Sequence, residues 1–225
     1  MKLLNISKSF KNKIIYQNLN LDINEGKVTV ILGESGCGKT TLLSIISGIL
    51  KDYSGKVIYE NDTSLGIGYI FQENALIPWK TVYENLKYTL KDKIDEERLD
   101  SHIKKYLKIV KLSENIDSYP VSLSGGMKRR VGIARGFAFP SQYLIMDEPF
   151  EFLDMKTKGE IIEDFKKLQK LEQKTVIFVT HDIESALEIG DTIVILGEKP
   201  TQIVKRFDNI NDKRKIETQI KNLFL

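Results

Sequence analysis

The chain has 225 residues, 41% of them hydrophobic and 29% charged, with 34 Lys and Arg against 31 Asp and Glu and a formal net charge of +3. That length sustains one large domain, or one domain with an inserted subdomain, around a substantial core. The near-balance of charge gives no electrostatic support to a nucleic-acid partner, and a single cysteine excludes an internal disulfide and fits a reducing compartment.

The first ten residues are broken by Asn5, Ser7, Lys8 and Ser9 and lack the apolar run of a signal peptide. Strand-like runs rich in Ile, Leu and Val follow at 14–23 and 27–32. The second ends directly in a glycine-rich loop. Residues 40–50 then read as a helix with Leu42, Leu43, Ile45, Ile46 and Ile49 facing inward. This is also the longest apolar stretch, and Ser44, Ser47 and Gly48 interrupt it, so nothing approaches the roughly 20 apolar residues of a membrane span. The expectation is a soluble, intracellular chain that meets a membrane only through a partner.

Two more strands are expected at 56–59 and 67–71. From 82 to 111 the chain turns polar and helical in period: Leu99, Ile103, Tyr106, Leu107 and Val110 recur at spacings of three and four, with Lys between them. Pro120 closes that portion, and His102 within it reads as a surface residue. Strands return at 143–147, 175–180 and 192–196, with an amphipathic helix at 155–173. Strands alternating with helices imply an α/β fold with a largely parallel sheet covered on both faces. Residues 76–134 read as a helical insert between core segments 1–75 and 135–207. The tail, 208–225, is charged and helical, and too short for a regulatory domain.

Three motifs carry chemistry. Gly33-Glu34-Ser35-Gly36-Cys37-Gly38-Lys39-Thr40 fits the phosphate-loop pattern G-x-x-x-x-G-K-[ST], with an apolar strand before it and an apolar helix after it. Its glycines let backbone amides wrap phosphates, Lys39 neutralises the β- and γ-phosphates, and Thr40 gives its hydroxyl to Mg²⁺. Asp147 and Glu148 end the apolar run Tyr143-Leu144-Ile145-Met146, where open α/β sheets bind ligands. Asp147 suits the metal and Glu148 the water that attacks the γ-phosphate. Leu123-Ser124-Gly125-Gly126-Met127 offers amides and a hydroxyl at a helix start, a second phosphate-binding element in a chain whose first is complete.

Other residues are less specific. His181 follows the 175–180 strand and can donate to a γ-phosphate, or be a structural histidine. Gln72, after the 67–71 strand, offers a neutral amide to Mg²⁺ or water. Phe10 could stack on adenine or pack in the core, with Tyr16 as the competing ring. Cys37 is a small loop residue rather than a catalytic thiol.

In this order and spacing the motifs resemble the ATP-binding subunit of an ABC transporter, over about residues 2–205. The resemblance implies a P-loop NTPase core with a small antiparallel β part and an inserted helical subdomain. It implies ATP and Mg²⁺ as ligands. Phe10 falls at the adenine-stacking position; Gly33, Glu34, Ser35, Gly36, Cys37, Gly38, Lys39, Thr40 and Thr41 form the phosphate loop; Gln72 opens the Q-loop. Ser124, Gly125 and Gly126 are the signature. Asp147 is the magnesium carboxylate, Glu148 the catalytic one, Asp154 ends the D-loop, and His181 is the switch histidine. Thr40, Gln72 and Asp147 are the metal ligands, and Glu148, His181 and Gln72 the catalytic set.

Such proteins pair head to tail as homodimers with ATP between them, on an integral membrane permease at the cytoplasmic face of the membrane. Importers add a solute-binding protein. The segment 71–79, with Leu76, Pro78 and Trp79, resembles the nitrate, sulfonate and taurine importer group; Trp79 could equally anchor the insert's core. One departure concerns the D-loop: Glu151-Phe152-Leu153-Asp154 stands where related importers carry Ser-Ala-Leu-Asp. A non-transport ABC-type ATPase with a regulatory or assembly role is the alternative. A third reading is a general P-loop kinase or GTPase; no Asn-Lys-x-Asp sequence is present, and the Ser-Gly-Gly run would then lack a purpose.

Overall fold

In a computed structural model the described residues are 1–73 and 75–223; Asn74, within the importer-like segment, and the last two residues of the tail lie outside them. The elements run β1 (Lys2–Phe10), β2 (Lys13–Asp22), β3 (Val28–Gly33), α1 (Lys39–Ile46), β4 (Ser54–Ile58), β5 (Gly68–Ile70), α2 (Val82–Leu90), α3 (Glu96–Ile109), α4 (Gly125–Ala138), β6 (Tyr143–Asp147), α5 (Met155–Glu172), β7 (Thr175–Thr180), α6 (Ile183–Ile189), β8 (Thr192–Leu196), β9 (Ile203–Asp208) and α7 (Lys213–Leu223).

The central strands are buried on both faces, which is why they read as unbroken apolar runs. A six-stranded sheet has the order β5-β6-β7-β3-β8-β9, parallel except for β9, which pairs antiparallel with β8 at the edge. Alternate side chains divide between two cores, as the two-residue period of a strand requires. Val28, Val30 and Leu32, with Val176 and Phe178, join the core under the helices of the middle segment and α5. Ile31, Ile177, Val179 and Val194 join the opposite core, which α1 and an antiparallel sheet of order β2-β1-β4 cover.

That strand order positions the site. β3 lies beside β7, and β7 beside β6, with Leu32 opposite Thr180 and Asp147 opposite Val179. The phosphate loop after β3, His181 after β7 and Asp147-Glu148 at the end of β6 therefore emerge together at the strands' carboxyl ends, where parallel sheets receive ligands.

Several expectations need correction. A strand precedes the first expected one: β1 buries Leu3, Ile6 and Lys8, while Asn5 and Ser9 face outward. The helix expected to Leu50 stops at Ile46. Gly48, at φ +73°, turns the chain out of it, and Ile49 is 68% exposed rather than inward-facing. After Pro120, α4 lies within the expected helical insert and continues four residues past 134, to Ala138. His102 is half-buried, its Nε2 2.8 Å from the Ala138 carbonyl, joining α3 to the end of α4. Trp79 is 75% exposed and anchors no core. No helix among the described residues is long and apolar enough to cross a membrane.

Candidate functional site

A cleft of about 540 Å³ opens at the carboxyl ends of β3, β6 and β7. It is lined by Ser35, Gly36, Gly38, Lys39, Thr40 and Thr41 of the phosphate loop, by Gln72, Asp147, Glu148 and His181, and by Glu151 and Lys199. A second cavity of about 660 Å³ adjoins it along Glu34, Ser35, Gly36 and Cys37.

The loop is braced from below. Tyr16 is fully buried and donates its hydroxyl to the Gly38 carbonyl at 2.7 Å; burial, then the neighbouring Cys37, pushes its phenol pKa upward. Gly38 holds φ +116°, and a Cβ there would lie 2.8 Å from the Tyr16 hydroxyl, so no other residue fits the turn. The competing ring is thus a structural brace. Phe10 is a surface residue at the end of β1, 46% exposed, with the Lys8 ammonium 4.6 Å from its ring centre. It lines neither cavity and does not pack in the core. Cys37 is a buried free thiol.

The Lys39 ammonium donates to the Gly33 carbonyl at 2.7 Å and the Glu34 carbonyl at 2.9 Å, folding the loop around its own lysine. Thr40 is exposed and lines the open cleft. Asp147 is buried; burial, then the charge of Glu148, raises its carboxyl above the usual range, against the opposing pull of Lys39. The Tyr69 hydroxyl stands 3.5 Å from its Oδ2.

Glu148 follows at φ +44°, a left-handed conformation costly for a residue with a Cβ. Strain of this kind collects at functional sites, held by surrounding bonds. Here the Glu148 amide donates to the Val179 carbonyl at 2.9 Å, while its carboxylate accepts from the His181 amide at 3.3 Å. His181 Nδ1 lies 3.1 Å from Glu148 Oε1.

Gln72 Nε2 donates to Glu151 Oε2 at 2.6 Å. Arg129, buried on α4, holds the same segment by its backbone, donating to the Phe71 carbonyl at 2.9 Å and the Gln72 carbonyl at 2.6 Å. Arg135, two turns on, donates to the Ala75 carbonyl at 2.9 Å. The helix that begins with the Ser-Gly-Gly run thus carries the two arginines that fix the Gln72 loop.

Ser124 and Gly125 are exposed and line neither cavity. Ser124 caps α4, accepting from the Met127 amide at 3.3 Å, and the first-turn amides of Gly125 and Gly126 have no intrahelical partner by geometry. Gly126 is buried against α5: a Cβ there would lie 2.5 Å from Thr157 Cγ2. Asp154 caps α5 by accepting from the Thr157 amide at 2.9 Å, so the Ser-Gly-Gly run and the Asp154 turn share Thr157 as a neighbour. Phe152, two residues before Asp154, is at φ +61° and 89% exposed.

The sequence patterns pointed to Gln72, Asp147, Glu148, His181 and the phosphate loop, and these meet in one cleft. The same patterns missed Tyr16 as the loop's brace, Lys199 as a lining residue and the Gln72–Glu151 bond. Glu151 departed visibly from its surrounding motif; the other two carried no local signal.

A model of the ABC transporter family, described as "ABC transporter", matches residues 16–151. The aliphatic sulfonates import ATP-binding protein of Bacillus cereus is 37% identical over 91% of this chain and 84% of that protein. The dimeric structure of a bacterial ABC transporter cassette superposes with a TM-score of 0.79 at 33% identity, covering 92% of this chain and 97% of that one. The same cassette in a post-hydrolysis state bound to ADP and Pi gives a TM-score of 0.78 at 33% identity and the same coverage. Matched over more than half its length by the family model and at this identity over nine-tenths of it, the chain belongs to the ABC transporter family of ATP-binding proteins.

Proposed function

We propose that this chain binds MgATP in the 540 Å³ cleft, hydrolyses it as a head-to-tail dimer with a second copy, and so powers solute import through a separate membrane permease. The observation that carries the reading is the convergence of Lys39, Thr40, Gln72, Asp147, Glu148 and His181 on one cleft, while Ser124 and Gly125 stand exposed outside it.

The donor set fits a magnesium ion that arrives with phosphate. Among the described residues no group of three His, Cys, Asp or Glu side chains could hold a metal alone. Mg²⁺ characteristically takes one or two protein carboxylates and completes its shell with substrate phosphates and water. Thr40, Gln72 and Asp147 would hold it, and its charge would offset that building on the phosphate oxygens.

The phosphate-loop amides and Lys39 bind the β- and γ-phosphates of ATP. Glu148 orients the attacking water and accepts its proton. Its existing contact with His181 sets the direction of the carboxylate, and the His181 ring takes the γ-phosphate side. Since the signature residues do not reach their own chain's cleft, Ser124 and the Gly125 and Gly126 amides serve the γ-phosphate held by the partner copy. Asp154 and Phe152 lie at the same contact. Phe10 stands outside both cavities, so stacking on adenine would require the base to extend beyond them along the end of β1.

The relative imports aliphatic sulfonates by name, and this chain's 71–79 segment agrees with an importer role. The test is phosphate release from MgATP by purified protein, then co-purification from membranes. Turnover that Glu148→Gln abolishes, with an integral membrane protein recovered alongside, supports the reading. Turnover unaffected by Glu148→Gln, or recovery with soluble partners alone, overturns it.

A further inference from the structure

The hairpin between β8 and β9 brings to the cleft a cation that belongs to none of the phosphate, signature or switch motifs. Lys199 sits at its tip, half-buried, and lines both the 540 Å³ cleft and the adjoining cavity beside Ser35 and Gly36. Its position is built. Thr201, fully buried, donates its amide to the Ile15 carbonyl at 2.7 Å and its hydroxyl to the Cys37 carbonyl inside the phosphate loop. Thr201 also bridges Tyr16, whose hydroxyl holds Gly38. The hairpin tip and the phosphate loop are therefore one hydrogen-bonded unit, and Lys199 is two residues from the stitch.

The charges of the cleft make this lysine stand out. Three carboxylates line it, Asp147, Glu148 and Glu151, against two ammoniums, Lys39 and Lys199. Lys39 already spends two of its donors on the Gly33 and Glu34 carbonyls. Lys199 is in no ion pair among the described residues. A polyphosphate entering a cleft already rich in carboxylate needs a cation of that kind. The mobile four-carbon stem of a lysine suits a point-charge contact with phosphate oxygens.

We propose that Lys199 is a ligand of the nucleotide's polyphosphate, a second cationic contact beside Lys39. The proposal rests on the reading of the cleft as the ATP site and adds to it a residue from outside the motifs.

The experiment is equilibrium binding of ATP and of AMP, by calorimetry or fluorescence anisotropy, to the full wild-type chain, Lys199→Ala and Lys199→Arg, at low and at physiological salt. Lys199→Ala should weaken ATP about ten-fold, the scale of one charge-assisted contact. AMP should be much less affected. Lys199→Arg should bind ATP within about two-fold of wild type, and the dependence of ATP affinity on salt should be shallower in the Ala variant. Lys199→Ala binding ATP like wild type at both salt concentrations overturns the contact and leaves the ATP site standing. Equal losses for ATP and AMP, or a loss that Lys199→Arg does not restore, assign the hairpin a structural role and also overturn it. A wild-type chain that binds no ATP overturns this contact and the parent reading together.

Discussion

Glu151 places a third carboxylate on a cleft meant for a polyanion, and it holds Gln72 through a 2.6 Å hydrogen bond. Two substitutions separate these effects. Glu151→Gln removes the charge and keeps an acceptor for Gln72; Glu151→Ala removes both. A unit charge about 6 Å from a phosphate oxygen, at an effective dielectric between about 20 and 80, costs roughly 0.7–2.8 kcal/mol before screening. The side chain is only partly covered, so the lower part of that range applies, about 1 kcal/mol. Glu151→Gln should therefore tighten MgATP about five-fold at low salt, and by less as salt rises. Glu151→Ala also frees Gln72 from a bond whose net worth is about 1 kcal/mol, and should tighten MgATP further, to about ten-fold or more. Binding is read by calorimetry with a slowly hydrolysed ATP analogue and Mg²⁺. Equal affinity of wild type and Glu151→Gln at low salt, or weaker binding in the variant, would refute the electrostatic reasoning. Equal affinity of the Gln and Ala variants would refute the role given to the Gln72 bond.

Gly126→Ala forces a methyl to within 2.5 Å of Thr157 Cγ2. At about 1–3 kcal/mol for overpacking, and about 2–4 °C per kcal/mol for a chain of this size, its melting temperature should fall by several degrees. Adding Thr157→Ser, which deletes that methyl, should restore most of the loss; no restoration would place the strain elsewhere. Lys174 is buried with its ammonium donating to the Phe139 carbonyl at 2.8 Å, and burial lowers its pKa to about 8 from 10.5. The unfolded chain binds the extra proton between those values, so this contribution is complete above 10.5 and is lost as pH falls through about 8. Urea melts across that window should show wild type gaining on Lys174→Met by an amount of order 3 kcal/mol; parallel pH profiles would contradict this. Asp147, its pKa raised by burial and by Glu148, keeps its proton more tightly when folded, so its ionised form costs stability at neutral pH. Without nucleotide, Asp147→Asn should melt above wild type at pH 7, and the gap should close as pH falls through the carboxylate range; a lower melting temperature at pH 7 would overturn the assignment.

The sheet's core was legible because its strands are buried on both faces. The runs at 143–147, 175–180 and 192–196 coincide with β6, β7 and β8, since no polar face dilutes their apolar character. Strands with one wet face were harder. β1 alternates polar and apolar residues, carries register shifts and places Asn5 at positive φ; β9, at the sheet edge, is largely open to water. The expected helix after the phosphate loop runs four residues past its observed end at Ile46, because the apolar periodicity outweighs the stop signal of Gly48. In the site, the motif residues were legible because phosphate chemistry fixes both residue type and spacing. Tyr16, Arg129 and Lys199 reach the site by tertiary placement from β2, α4 and the β8–β9 hairpin, and no short pattern encodes that.

The central claim is that the Ser-Gly-Gly run serves ATP held by another copy of the chain. Sedimentation velocity of Glu148→Gln with MgATP, with and without Ser124→Arg, tests it most directly. The account predicts a dimer that forms only with ATP and is lost when Ser124→Arg is added, while ATP binding by the monomer is retained. A Glu148→Gln chain that binds ATP and stays monomeric, or a dimer indifferent to Ser124→Arg, would contradict it.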